Sequence, residues 1–191
     1  VILPFEVDFY RQHQVPAYYV GNPLANQVKP TLTLNQAYSA FQLNPNQLMV
    51  GLVAGSRKSE IKLMLPTILR SAQLLKQRYP QIQFVLPLAD TLDESLVQHY
   101  LKHYNLPIKI VHNQLYDCLQ CCDAAICVSG TVTLEVALLE IPFVIIYRLA
   151  FLTALIGALL VDVKYIGLAN IIANQEVAKE LIQYQASPKR I

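Results

Sequence analysis

Residues 124–139 read AAICVSGTVTLEVALL. Ala124 to Val128 is a continuous apolar run, Ser129 and Gly130 break it, and apolar residues then recur at helical spacing from Thr131 to Leu139. A strand with no polar alternation is covered on both faces, and such strands belong to parallel sheets with helices on either side. The same strand, break and helix recur in both directions from this stretch. Upstream, Met49 to Ala54 ends at Gly55-Ser56, and Ser59 to Tyr79 carries Ile61, Leu65, Ile68, Leu69, Ala72 and Leu75 at helical spacing before Pro80 stops it. Ile82 to Leu86 then reads as a strand, Leu92 to Tyr104 as a helix, Ile108 to Val111 as a strand and Leu115 to Cys122 as a short helix. Downstream, Phe143 to Ile146 is a strand and Ala150 to Val161 an apolar helix. This alternation predicts a doubly wound parallel α/β domain over residues 45–191.

Residues 1–20 do not share the rhythm and are expected to be the tail of a preceding domain. Residues 21–44 lie between the breaks Val20-Gly21-Asn22-Pro23 and Asn44-Pro45-Asn46, and are expected to be a linker and crossing segment. Val1-Ile2-Leu3-Pro4 has no basic stretch and no small-residue cleavage site, so it is not a signal peptide. It reads as the middle of a strand, and the chain is expected to be an excerpt of a longer protein.

Composition narrows the class. An apolar fraction of 54% with a net charge of only +2 excludes disorder. No Lys/Arg run exceeds two residues, so no nucleic-acid partner is expected. Charged residues make up 15% of the chain, against about 25% in an average globular domain. That deficit points to surface meeting something other than water. Cys118, Cys121, Cys122 and Cys127 crowd within ten residues, which suits a reducing compartment better than a secreted disulfide framework. The apolar run Leu149 to Val161 has thirteen residues, where a spanning helix needs about 20. It fits a buried or interface-lying helix.

Ligands of open parallel sheets sit at the carboxyl ends of the strands. Two strand ends stand out. In Gly55-Ser56-Arg57-Lys58-Ser59-Glu60, Gly55 permits close backbone approach, Ser59 reads as a helix cap, and Arg57 can offer phosphate a two-pronged fork. A capped helix with a solvated Arg57 is the other reading. In Ser129-Gly130-Thr131-Val132-Thr133-Leu134-Glu135, small hydroxyl residues open a helix after a buried strand, which makes an anion site. Glu135 lies one turn further on, where a carboxylate repels phosphate but suits a ribose diol. Tyr147-Arg148 closes the fifth strand at the same edge, and Arg148 needs an internal carboxylate or a ligand phosphate. Asn170, polar within Leu168-Ala169-Asn170-Ile171-Ile172, either caps a helix or reads a ligand.

Other features are bland. Cys118-Leu119-Gln120-Cys121 lacks a second pair, and His99/His103 lack the Glu of a metalloprotease helix. With no Walker A loop, no G-x-G-x-x-G, no G-x-S-x-G and no Asp-x-Asp pair, the sequence calls for neither a metal nor a cofactor.

Taken together, Ile2-Leu3-Pro4-Phe5-Glu6, Phe9-Tyr10, Tyr19-Val20-Gly21-Asn22-Pro23-Leu24-Ala25, Gly55-Ser56-Arg57, Ser59-Glu60, Phe84-Val85-Leu86-Pro87-Leu88-Ala89, Ser129 to Glu135, Tyr147-Arg148 and Asn170-Ile171-Ile172-Ala173 run in one order. In that order the chain resembles the lipid-A-disaccharide synthases, two-domain glycosyltransferases of the GT-B type. The resemblance implies that residues 45–191 are most of a Rossmann-like C-terminal domain that binds a UDP-sugar. Such enzymes join the donor UDP-2,3-diacylglucosamine to the acceptor 2,3-diacylglucosamine 1-phosphate, at the inner face of the cytoplasmic membrane. The implied roles are pyrophosphate binding by Ser129, Gly130, Thr131 and Thr133, with Gly55, Ser56, Tyr147, Arg148 and Asn170 also around the substrate. Glu135 would hold the ribose and Arg57 the charge on departing UDP. The general base is expected in the other domain, a homodimer is expected of the intact protein, and this excerpt alone is expected to be inactive. The family usually carries His at Asn22 and Pro at Ala54 and Ala169, and its closing C-terminal helices are expected to be absent from this excerpt. Other readings are a sugar-nucleotide epimerase on the same scaffold, which would lack acyl-lipid affinity, or a non-catalytic nucleotide-sugar-binding or membrane-interacting module.

Overall fold

The computed structural model describes residues 1–148 and 164–191, so the helix expected over Ala150–Val161 lies outside the described residues. Six strands form one sheet: β1 (Met49–Val53), β2 (Gln83–Leu88), β3 (Ile108–His112), β4 (Ala124–Val128), β5 (Phe143–Tyr147) and β6 (Lys179–Ile182). They lie in the order β3-β2-β1-β4-β5-β6, and every neighbouring pair is parallel. The chain runs outward from β1 in one direction and then returns to β4 on the other side of β1. Each apolar strand run was legible from the sequence. β6 was not, because Lys179-Glu180-Leu181-Ile182 is half polar and pairs only at an edge.

Burial on both faces explains why the strands lack alternation. Val50, Leu52 and Ala54 pack with Phe84, Leu86, Ile126, Val128 and the inner stripe of α4 (Lys58–Arg78), including Ile61, Leu65, Ile68 and Leu69. The intervening residues Met49 and Val53 face the other side. There, Met49 meets Ala37 and Phe41 of the 34–41 region, and Val53 meets Leu119, Cys127 and Val136. A fully buried Leu or Phe in such a layer contributes roughly 2–3 kcal/mol. At Gly51 an added Cβ would stand 2.9 Å from Leu119 Cδ2, so this strand needs Gly for the close approach of its covering helix.

The N-terminal region departs from expectation. Val1 to Pro4 is not a strand: α1 covers Pro4–Gln12, with Pro4 at a position that needs no N–H. Glu6 folds back to accept from the Leu3 amide at 2.9 Å. No residue of α1 is buried. After the short α2 (Leu24–Gln27), α3 (Leu34–Ala40) is capped by Thr33 and buries Ala37 against the sheet. Asp117 of α6 (Leu115–Leu119) anchors this crossing segment, accepting from Thr31 N at 2.6 Å, Thr31 Oγ1 at 2.7 Å and Leu32 N at 2.7 Å. Ala37, Phe41 and Leu43 of this segment pack with Met49 and Val85 into the sheet's own core.

The remaining helices are α5 (Glu94–Leu101), α7 (Val132–Leu138) and α8 (Leu168–Ala173). Asp93 caps α5 through the Ser95 amide at 2.8 Å, so this helix is shorter than the apolar pattern suggested. Among the described residues no helix is long and apolar enough to cross a membrane.

Candidate functional site

β1 and β4 are adjacent, but the connections after them leave toward opposite faces of the sheet. That is the switch point at which open parallel sheets open a crevice beyond their carboxyl ends. A cavity of about 560 Å³ lies there. Its walls come from Gly55, Ser56, Arg57 and Glu60 after β1, from Pro87 to Asp90 at the end of β2, from Asn113 and Leu115 after β3, and from Ser129 to Val132 with Glu135 after β4. This size suits a small organic ligand.

The loop after β1 is held by its own carboxylate. Ser59 is not the cap, as the sequence had suggested: the helix begins at Lys58 and Arg57 takes the cap position. Glu60 folds back and accepts from Ser56 N at 2.9 Å, Arg57 N at 3.2 Å and the Arg57 guanidinium at 2.8 Å. Thr91 donates its hydroxyl to Ser56 O at 2.7 Å from the neighbouring loop. Gly55 has φ +101°, and an added Cβ would lie 2.9 Å from Glu60 Cβ. Only Gly adopts this turn over the packed carboxylate without strain. The amides of Ser56 and Arg57 are thus satisfied internally, and the cationic group offered to a ligand on this side is the Arg57 side chain, 78% exposed at the rim.

The loop after β4 sorts its hydroxyls. Thr133 is fully buried and donates to Gly130 O at 2.8 Å, so it braces the first turn of α7 and is not available to pyrophosphate as expected. Ser129 lines the cavity, but its hydroxyl proton goes to Ile166 O at 3.0 Å. Gly130 and Thr131 are exposed on the cavity wall, and no atom lies within 4 Å of where a Gly130 Cβ would stand. Glu135 lines the same wall, one turn into α7. Its Oε2 accepts from the Tyr116 hydroxyl at 2.8 Å. Burial, with this carboxylate beside it, pushes the Tyr116 phenol up to about 12.

Three expected site residues do structural work elsewhere. Asn170 is fully buried: its amide nitrogen donates to Ala178 O at 2.7 Å and Glu180 Oε1 at 2.8 Å, while its oxygen accepts from Val177 N and Ala178 N. All its hydrogen-bonding capacity is spent on the approach to β6, leaving nothing for a ligand. Among the described residues Arg148 meets no carboxylate, and it does not line the cavity. Its guanidinium donates to the Gln183 and Ala186 carbonyls at the end of β6. Tyr147 is half-buried and packs against the main core beside β6. The cavity therefore unites Gly55, Ser56, Arg57, Ser129, Gly130, Thr131 and Glu135, with Thr133 behind them. Sequence reasoning missed Glu60, Tyr116 and Asn113. The capping-box spacing Arg57 to Glu60 could have flagged the first, and the turn after β3 the last.

A six-stranded parallel sheet with helices on both faces and a crevice at the β1–β4 switch point is a Rossmann-like α/β fold of the GT-B type. Solved structures agree on the fold. ADP-heptose LPS heptosyltransferase II of E. coli is 14% identical and superposes over 82% of this chain and 48% of its own, with a TM-score of 0.57. UDP-GlcNAc 2-epimerase from Neisseria meningitidis, solved bound to UDP-GlcNAc, is 16% identical over 90% of this chain and 50% of its own, with a TM-score of 0.59. The lipid-A-disaccharide synthetase family model matches residues 1–191, and the chain belongs to that family. Lipid-A-disaccharide synthases of Trichlorobacter lovleyi and Nitrosococcus oceani are 50% and 48% identical over all of this chain. The chain spans about half the length of these relatives, 50% and 49% respectively.

Proposed function

We propose that the chain is the nucleotide-sugar half of an inverting glycosyltransferase that condenses UDP-2,3-diacylglucosamine with 2,3-diacylglucosamine 1-phosphate, at the inner face of the cytoplasmic membrane. Family membership supports the reaction. The observation that carries the site is the switch-point cavity, with Arg57 and Glu135 on either side of the β1–β4 boundary. A carboxylate inside an anion-binding crevice suits a ligand that presents neutral hydroxyls beside its phosphates, as a nucleoside diphosphate does.

In this reading Glu135 accepts from the ribose hydroxyls, and Gly130 and Thr131 face the diphosphate. Arg57 releases its exposed contact with Glu60 to reach the terminal phosphate. The acceptor hydroxyl attacks the anomeric carbon from the face opposite UDP, the bond to the phosphate oxygen breaks, and its electron pair leaves with UDP. Arg57 offsets the charge that grows there. The proton lost by the acceptor passes to a base in the other domain.

Calorimetric titration of the 191-residue chain with UDP tests the assignment. Arg57→Ala and Glu135→Ala should each weaken binding about tenfold, one charge-assisted contact apiece, with unchanged thermal unfolding. Wild-type affinity in both variants would refute it.

A further inference from the structure

Tyr116 is not part of the cavity wall, yet its hydroxyl makes the one hydrogen bond recorded for the Glu135 side chain among the described residues. The bond ties Oε2 at 2.8 Å and leaves Oε1 of this cavity-lining residue without a hydrogen-bond partner among the described residues. A glutamate has three side-chain torsions and samples several rotamers when nothing holds it, so a carboxylate meant to meet two adjacent hydroxyls loses affinity by being ordered on binding. Tyr116 belongs to α6, and the next residue, Asp117, is buried and pinned to Thr31 and Leu32. Leu115, the preceding residue, lines the cavity. The phenol is thus carried on a short helix anchored at Asp117 and packed through Leu115 against the Val53 and Val136 cluster.

We propose that Tyr116 is a positioning residue for sugar recognition, holding the Glu135 carboxylate in the one orientation that accepts a ribose diol and so setting the preference for ribonucleotide over 2′-deoxyribonucleotide. The inference rests on the nucleotide reading of the cavity. The phenol is suited to this task because it stays protonated, and therefore a donor, throughout the neutral range. Among the described residues the Tyr116 hydroxyl bonds Glu135 and makes no hydrogen bond to Gly130, Thr131 or Arg57, so phosphate binding there should be insensitive to it.

The test is titration of the full 191-residue chain and its Tyr116→Phe variant with UDP and with 2′-deoxy-UDP, alongside thermal unfolding of both proteins. The wild type should prefer UDP about tenfold, one hydrogen bond to a charged acceptor. Tyr116→Phe should cut that preference to about twofold by weakening UDP alone, with 2′-deoxy-UDP bound as in the wild type. A variant that keeps the tenfold preference, or weakens both ligands equally, overturns the positioning role and leaves the cavity reading standing. A folded wild type that binds both ligands equally overturns this inference and leaves the nucleotide reading standing, whereas one that binds neither overturns both.

Discussion

Asp117→Ala should be among the most damaging single substitutions remote from the cavity. The carboxylate is 4% exposed and takes three donors from a segment more than eighty residues away: Thr31 N at 2.6 Å, Leu32 N at 2.7 Å and the Thr31 hydroxyl at 2.7 Å. Truncation strands two amides, each costing about 1.5 kcal/mol, while the exposed Thr31 hydroxyl turns to water at little cost. The sum is about 3 kcal/mol, an upper value because residues 31–33 can lift and hydrate. Asp117→Asn is the internal control. Both amides bond the same oxygen, Oδ1, which asparagine keeps, so the loss shrinks to about 1 kcal/mol. Urea unfolding followed by circular dichroism reads the difference. With a slope of about 2 kcal/mol per M, the alanine midpoint falls by roughly 1.5 M and the asparagine midpoint by roughly 0.5 M. Equal losses in the two variants, or an alanine variant within 0.5 M of wild type, would refute the anchor (the latter figure about a third of the expected shift).

Gly55→Ala should destabilise the chain by about 2 kcal/mol, since φ +101° and the packed Glu60 both exclude a Cβ, and UDP affinity should fall with it. An unchanged melting temperature would mean that the loop has another shape. Asn170→Leu strips a buried amide of four hydrogen bonds and should cost about 3 kcal/mol, with UDP affinity of the folded chain unchanged. Lost affinity at full stability would instead make Asn170 a ligand-reading residue. Burial raises the Cys118, Cys122 and Cys127 thiols well above their usual value and lifts Cys121 to about 11. At pH 8 the native chain should therefore react slowly with a disulfide reagent, and denaturant should release all four thiols. Because unfolded thiols ionise first, near pH 8.5 or about that, the Cys121 contribution to stability is whole below that point and declines as pH rises toward about 11. Four thiols reacting at once in the native chain would contradict this packing.

What the sequence disclosed follows from the range over which each feature is encoded. The strands through Val128 and Tyr147 were legible because burial on both faces leaves an unbroken apolar run, and the switch-point loops because Gly and small hydroxyl residues interrupt it. β6 escaped because an edge strand tolerates Lys179 and Glu180. The roles of Thr133, Arg148 and Asn170 depend on partners that composition cannot name. Thr133 looks like a phosphate ligand until its hydroxyl is seen on Gly130 O. Arg148 demanded an anion by charge, and among the described residues the carbonyls of Gln183 and Ala186, just past β6, are what it meets. Asn170 is matched by Glu180 and by backbone seven and eight residues further on. The α1 helix shows the opposite balance: an apolar start resembled a strand, but Pro4 and Glu6 set the local geometry.

Uridine diphosphate is expected to bind in the crevice between β1 and β4. Backbone amide mapping of the isotopically labelled 21.5 kDa chain during titration with UDP tests it most directly. The predicted result is saturable shifts concentrated at Gly55–Arg57, Asn113–Leu115 and Gly130–Val132, with the titration midpoint about tenfold higher in Glu135→Ala. Shifts centred elsewhere, or none in a folded chain, would contradict it.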